Sequence, residues 1–260
     1  MERQHGEAVT MVCCFGDIDH YRVKEIEYQR MIEEQEEILE KTVRHRTKEL
    51  YEMNRQLRKL NEQIVDFVGY VVEGRDFTSG KHIARVKVYT AILASKVMNM
   101  LPEYGLTSSD VGAIVAASPL HDIGKVAVPD SILLKPGRLT DEEFDLMKQH
   151  TTIGCDILKK APKDWDAKTK EMGFEICRSH HERVDGKGYP EGLKGDDIPI
   201  SAQIVGIADC FDALTSKRPY KAPFSREEAF RMILDGECGA FSEKLLTCFR
   251  ACEEEFMKKR

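Results

Sequence analysis

Apolar positions between residues 21 and 70 fall on alternating three- and four-residue steps. Leu39, Val43, Leu50, Met53, Leu57, Leu60, Ile64 and Phe67 form the stripe, and Arg46 interrupts its seam. The stretch contains no proline and one glycine, Gly69, near its end. A stripe this narrow, with charged residues on the remaining faces, is the heptad pattern of a coiled coil. It predicts one long helix, residues 21–70, that pairs with a second copy of itself. A single amphipathic helix packed on its own domain is the competing reading.

From residue 71 the character changes, and helical signals recur through 71–260. "LTSSD" precedes an apolar run from Val111. Thr140 with Glu143, and Ser225 with Glu228, read as capping boxes. "PISAQIVGIADCFDAL" starts a helix after Pro199, with Ser201 as its cap. No segment alternates with period two for long. The expectation is an all-α domain with long loops at 126–140 and 183–200. Residues 1–20 stand apart. Their apolar run "VTMVCCFGDID" reads either as a last β-strand left from a preceding domain or as a frayed end. It slightly resembles the end of a PAS sensory domain, where a strand leads through Asp-Ile into a helix.

Composition narrows the function classes. The 260 residues, 42% hydrophobic and 32% charged, suit one large domain or a domain with an appendage. A formal net charge of −6 argues against a binder of nucleic-acid polymers. A phosphate-bearing ligand would then need local positive charge or metal. No apolar run reaches the roughly 18 residues of a membrane span. The N-terminus lacks the basic-then-apolar order of a secretory signal. Of the eight cysteines, Cys13 and Cys14 are adjacent and the rest scattered, without a CxxC pair, as expected in a reducing compartment. A cytoplasmic location is the expectation.

The histidines carry the chemistry. His121 and Asp122 stand together in "LHDIGK", and His180 and His181 in "RSHHERVDGKGYP". His82 follows the acidic stretch "EGRDFTSGKH", and His150 is expected to end a helix in "DLMKQH". Asp209 lies in the apolar helix "IVGIADCFDAL", where a carboxylate is costly to bury without a cation or partner. Imidazoles and carboxylates without thiolates suit two divalent first-row metals better than one structural zinc. Asp122 is the natural bridge, because a carboxylate has two oxygens to share.

"HDIGK", followed by "HHERVDGKGYP" and by "GLKGDDIPISAQIVGIADCFDALTSKRPYK", resembles the HD-GYP domain, a subgroup of the HD phosphohydrolases. The resemblance spans about residues 71–260. It implies an HD-type helical bundle, preceded here by the coiled-coil helix. It further implies a phosphodiesterase that opens cyclic di-GMP, a bacterial second messenger, to pGpG, with GMP as a further product if a second cut follows. His82, His121, Asp122 and Asp209 would bind a first metal, and Asp122, His150, His180 and His181 a second. Iron or manganese are the leading ions, with zinc and nickel as others. Lys125 would face the scissile phosphate or attacking water, giving Lys125 and Asp122 catalytic roles. Arg218 and Lys221, with Lys125, would hold the substrate. The glycine-rich loop would wall the substrate groove, and Gly188-Tyr189-Pro190 would offer a docking site for cyclic di-GMP synthase domains.

One departure bears on metal count. A subset of the family carries an acidic residue four positions before the first histidine and binds a third metal with it. Thr78 occupies that position, and Glu73 and Asp76 do not match the spacing. Two metals per chain are expected. The alternatives are an HD hydrolase acting on another nucleotide and a non-catalytic cyclic di-GMP sensor or scaffold. A complete set of seven metal-binding residues disfavours the second.

Overall fold

The computed structural model describes residues 3–75, 81–162, 165–217 and 222–258, with backbone alone over 3–19. The chain divides into two compact units, Met1–Leu60 and Asn61–Arg260.

Helix α1 runs over Arg3–Glu73. The strand reading for residues 1–20 is corrected, because residues 3–19 are helical. A lone strand leaves its N–H and C=O groups without partners, whereas a helix satisfies them within the segment. In the first unit, Leu39, Val43, Leu50, Met53 and Leu57 are between 55% and 67% exposed. Within that unit the stripe is left uncovered.

In the second unit, α2 (His82–Met100), α3 (Ser108–Ala117), α4 (Asp130–Leu133), α5 (Asp141–Lys148), α6 (His150–Lys159) and α7 (Ala167–Ser179) are followed by α8 (Ile200–Thr215), α9 (Arg226–Leu234), α10 (Glu243–Arg250) and α11 (Glu253–Met257). No β-strand occurs among the described residues, and Asp185 and Lys194 form only an isolated bridge. Helix α8 is the centre of the unit. Ile204, Val205, Ile207, Ala208 and Phe211 bury almost every face of it, so it reads as continuously apolar. Phe211 meets Tyr89 of α2 edge-on at 5.0 Å, and Phe230 stacks on Phe249 at 4.1 Å. A second core joins Val65 and Val72 of α1 to Leu120, Ile123, Cys155, Leu158 and Cys177. It fixes α6 and α7 against the HD segment.

The capping boxes at Thr140/Glu143 and Ser225/Glu228 are present. A third, Thr107 with Asp110, starts α3. Ser201 does not cap α8, which begins at Ile200; its hydroxyl donates instead to Glu175. His150 opens α6 rather than closing a helix, because α5 ends at Lys148. The segment expected as loop at 126–140 contains the short α4.

Candidate metal centre

His121 and Asp122 leave a short helical turn, Ser118–Leu120, and precede another, Ile123–Ala127. Gly124 stands in the second of these turns for a steric reason. A Cβ there would stand 1.8 Å from the His150 carbonyl oxygen and 2.6 Å from the Gly154 nitrogen. Only a glycine lets α6 approach closely enough to bring His150 beside Asp122.

The Asp122 carboxylate lies between two groups of histidines. Its Oδ2 is 3.3 Å from His121 Nε2, and its Oδ1 is 3.2 Å from His150 Nε2 and 3.8 Å from His180 Nε2. Lys125 Nζ is 2.6 Å from Asp122 Oδ2. Asp209 Oδ1 stands 3.6 Å from His82 Nε2 and 3.9 Å from His121 Nε2. The structure thus brings together all seven residues proposed as ligands, with Asp122 between the groups. Asp122, His150, His180 and His181 place one donor atom each within 4.8 Å of the others.

The imidazoles are turned by their other nitrogens. Nδ1 of His121 donates to the Ser118 carbonyl, that of His150 to Met147, and that of His180 to Ile176. A carbonyl can only accept, so each Nδ1 carries a proton, and each ring in its neutral form presents a lone pair at Nε2. His82 Nδ1 donates to Asp212 Oδ2 at 2.7 Å, giving His82 the same tautomer. Nε2 of His121, His150 and His180, and Asp122 Oδ1, are buried without a hydrogen-bond partner. Four buried acceptors aimed at one another are costly unless a cation joins them. The donor set, imidazole nitrogens and carboxylate oxygens, fits divalent transition metals.

Electrostatics separates the groups. Burial pushes the His180 imidazole down to about 3, with the His121 charge adding to it. Burial likewise lowers His150 and, far more, His181. His121 is also penalised by burial, but Asp122, Asp209 and Glu73 reverse the effect and raise it to about 9. Burial alone would raise Asp122, yet Lys125 and His121 hold its carboxyl well below the usual carboxylate range.

The glycine-rich loop does local work beside the ligands. Tyr189 stacks on His181, with ring centroids 4.6 Å apart. The buried Glu182 carboxylate accepts from the backbone N–H groups of Glu191, Gly192 and Leu193 at 2.8, 3.1 and 3.0 Å. Gly188 runs against the chain at this point, and a Cβ would lie 2.4 Å from the Arg183 nitrogen. Arg218 and Lys221 lie outside the described residues, as do Thr78 and Asp76.

Four site residues were not foreseen. Glu182, Asp212 and Arg85 act on the loop or on His82, and nothing in their spacing marked them. Arg85 donates to Asp212 Oδ2 at 2.9 Å and to Ser216 Oγ at 2.7 Å. Glu73 does not match the spacing of the family's acidic position, yet its carboxylate is buried, with Oε1 3.2 Å from His82 Nε2.

A family model, the HD domain, matches residues 37–238. The chain belongs to the HD domain family. Among curated relatives of this HD domain, a cyclic di-GMP phosphodiesterase of Thermotoga maritima is 44% identical over 193 residues, covering 74% of this chain and 50% of that protein. The 3'3'-cGAMP-specific phosphodiesterase 2 of Vibrio cholerae is 40% identical over 204 residues, covering 78% of this chain and 37% of its own. A solved HDG"Y"P protein from Bdellovibrio bacteriovorus aligns with a TM-score of 0.52 at 19% identity, over 75% of this chain and 61% of that one, which shows a shared fold. The chain spans half or less of the length of these curated relatives. The resemblance to the HD-GYP subgroup holds across them.

Proposed function

We propose that this HD domain is a metal-dependent phosphodiesterase that hydrolyses cyclic di-GMP to pGpG. The observation that carries the reading is the position of Asp122 between the buried, partnerless imidazole nitrogen of His121 and those of His150 and His180. His82, His121, Asp122 and Asp209 would hold one divalent ion, and Asp122, His150, His180 and His181 another, with iron or manganese as the leading candidates. When bound, such a pair activates water at neutral pH and neutralises phosphate charge.

The chain's own residues supply the rest. The Nδ1 bonds of His82, His121, His150 and His180 fix each ring before any ion arrives, so little reorganisation remains at the moment of binding. Lys125 places a cation at Asp122, on the edge of the ligand set, where negative charge on a phosphodiester grows during attack. The dense packing of the site around His121 and His180 keeps the dielectric low and strengthens that interaction. Arg218 and Lys221 would engage the guanine and phosphate groups of the substrate. We assign no nucleophile to a serine or cysteine.

A second substrate has specific support. A relative named for 3'3'-cGAMP matches at 40% identity, within a few per cent of the cyclic di-GMP phosphodiesterase. Parallel turnover of cyclic di-GMP and 3'3'-cGAMP, with products separated by chromatography, tests the choice. A kcat/KM favouring cyclic di-GMP is expected; preference for the hybrid dinucleotide would replace this substrate while leaving the metal site intact. Binding of either without any cleavage would favour the sensor reading.

The exposed stripe of α1 supports a homodimer through its coiled coil, with residues 21–70 as a signalling helix and 71–260 as the catalytic domain. Docking of a cyclic di-GMP synthase domain at the Gly188-Tyr189-Pro190 loop remains part of this proposal. No helix of the described residues is long and apolar enough to cross a membrane. A cytoplasmic setting is part of the same reading.

A further inference from the structure

Glu73 is the last residue of α1, and its side chain enters the site. The residue is 4% exposed, and neither carboxylate oxygen has a hydrogen-bond partner. Oε1 stands 3.2 Å from His82 Nε2, an atom that also faces Asp209 Oδ1 at 3.6 Å. Glu73, His82 and His121 each place a donor atom within 4.8 Å of the others. Two donors bound to one ion at about 2.1 Å stand at most about 4.2 Å apart, so the closest of these separations are those of a shared ion.

The end of α1 is held in place. Arg75, two residues on, donates to the carbonyls of Lys125, Val126 and Val128 at 3.1, 2.6 and 3.1 Å, and pairs with Asp130 at 2.7 Å. The helix terminus is thereby tied to the segment that carries Asp122 and Lys125. A buried carboxylate without a donor is costly to keep unless a cation meets it.

We infer that Glu73 is a protein ligand of the same metal as His82, His121, Asp122 and Asp209. The inference rests on the metal reading above and adds a fifth ligand, delivered by the end of the long helix. An ion with five protein donors keeps room for one more at most, which suits a site that must still admit substrate or water.

The test is metal content by mass spectrometry after dialysis, together with anomalous diffraction from the metal-loaded wild-type chain. The wild type should hold two ions, with a Glu73 oxygen about 2.0–2.2 Å from the one beside His82 and His121. Glu73→Gln matches the shape of a protonated acid but cannot offer a carboxylate. It should lower the affinity of that ion at least tenfold and leave the ion at His150, His180 and His181 in place. Glu73→Asp, one methylene shorter, should fall between. Two ions held as tightly in Glu73→Gln, or a wild-type peak with Glu73 beyond bonding distance, would overturn the inference and leave the metal reading standing. A third wild-type ion at Glu73 would also overturn it. A wild type without tightly held metal would overturn both. The diffraction arm needs no variant, so a substitution that impaired folding would not spoil the test.

Discussion

Asp212 Oδ2 accepts a 2.7 Å hydrogen bond from His82 Nδ1. Asp209, three residues earlier on α8, faces the opposite nitrogen of the same ring at 3.6 Å. One turn of one helix thus addresses both sides of His82. Burial penalises the Asp212 carboxylate, but bonds from His82 and Arg85 outweigh the penalty and hold it below the ordinary range. Asp212 is therefore a positioning residue that keeps the Nε2 lone pair aimed into the site. Asp212→Asn can accept at Nδ1–H only through its amide oxygen, with weaker charge support. We expect metal affinity at His82 to fall about 10- to 100-fold, as is typical of such partners. Isothermal titration of the metal-depleted protein reads it, and full affinity with unchanged stoichiometry would remove this role from Asp212.

Taken together, His121 and His180 favour the folded metal-free chain most near pH 6.5. His121 has its folded value raised from 6.5 to about 9, so its stabilising contribution is complete below 6.5 and is lost as pH rises to about 9. His180 is lowered from 6.5 to about 3, so its neutral burial is fully tolerated above 6.5 and becomes unfavourable as pH falls toward 3. Urea midpoints across pH 4–9, with chelator present, should show both limbs, each worth at most about 3 kcal/mol. His121→Gln should flatten the alkaline limb, and His180→Gln should lessen the acid one, to which the lowered His150 and His181 also contribute. Persistence of the alkaline limb in His121→Gln would place its origin elsewhere.

Glu182→Ala should loosen the glycine-rich loop. It leaves the N–H groups of Glu191, Gly192 and Leu193 without their acceptor, at about 1–3 kcal/mol for each one that water cannot reach. A melting temperature lowered by several degrees and a higher KM are expected, with metal content near that of the wild type. An unchanged KM would mean that the loop has no part in holding substrate.

Much of this was legible in the sequence because it lies in side-chain identity at short spacing. His121-Asp122 and His180-His181 are adjacent, and Asp209 is conspicuous as a carboxylate in an apolar helix. The capping boxes at Thr140 and Ser225 are local by nature and were read directly. Glu73 and Asp212 were not legible, because they meet His82 only through folding. Glu73 is brought in by the end of α1, and Asp212 by the turn of α8. The sequence suggests that His150 ends a helix, whereas it begins one, since α5 and α6 are separated by a single residue, Gln149, with no proline or glycine to mark the break. The apolar run in residues 1–20 suggested a strand for lack of a period long enough to decide.

The exposed stripe gives a separable expectation. Leu50→Glu with Leu57→Glu places charge on positions 67% and 55% exposed in the single chain. A coiled-coil dimer should shift to monomer in sedimentation experiments, while metal content stays at its wild-type level. A wild type that sediments as a monomer would remove the dimer from the account.

The central claim is that hydrolysis of cyclic di-GMP depends on ions held on either side of Asp122. The most direct measurement is turnover by metal-depleted protein, prepared without oxygen, as divalent iron or manganese is titrated back. No turnover at zero metal is expected, followed by a rise that levels off at two equivalents per chain, with pGpG as product. Asp122→Ala should stay at the baseline throughout. Hydrolysis that proceeds without metal, or none at full loading, would contradict the account.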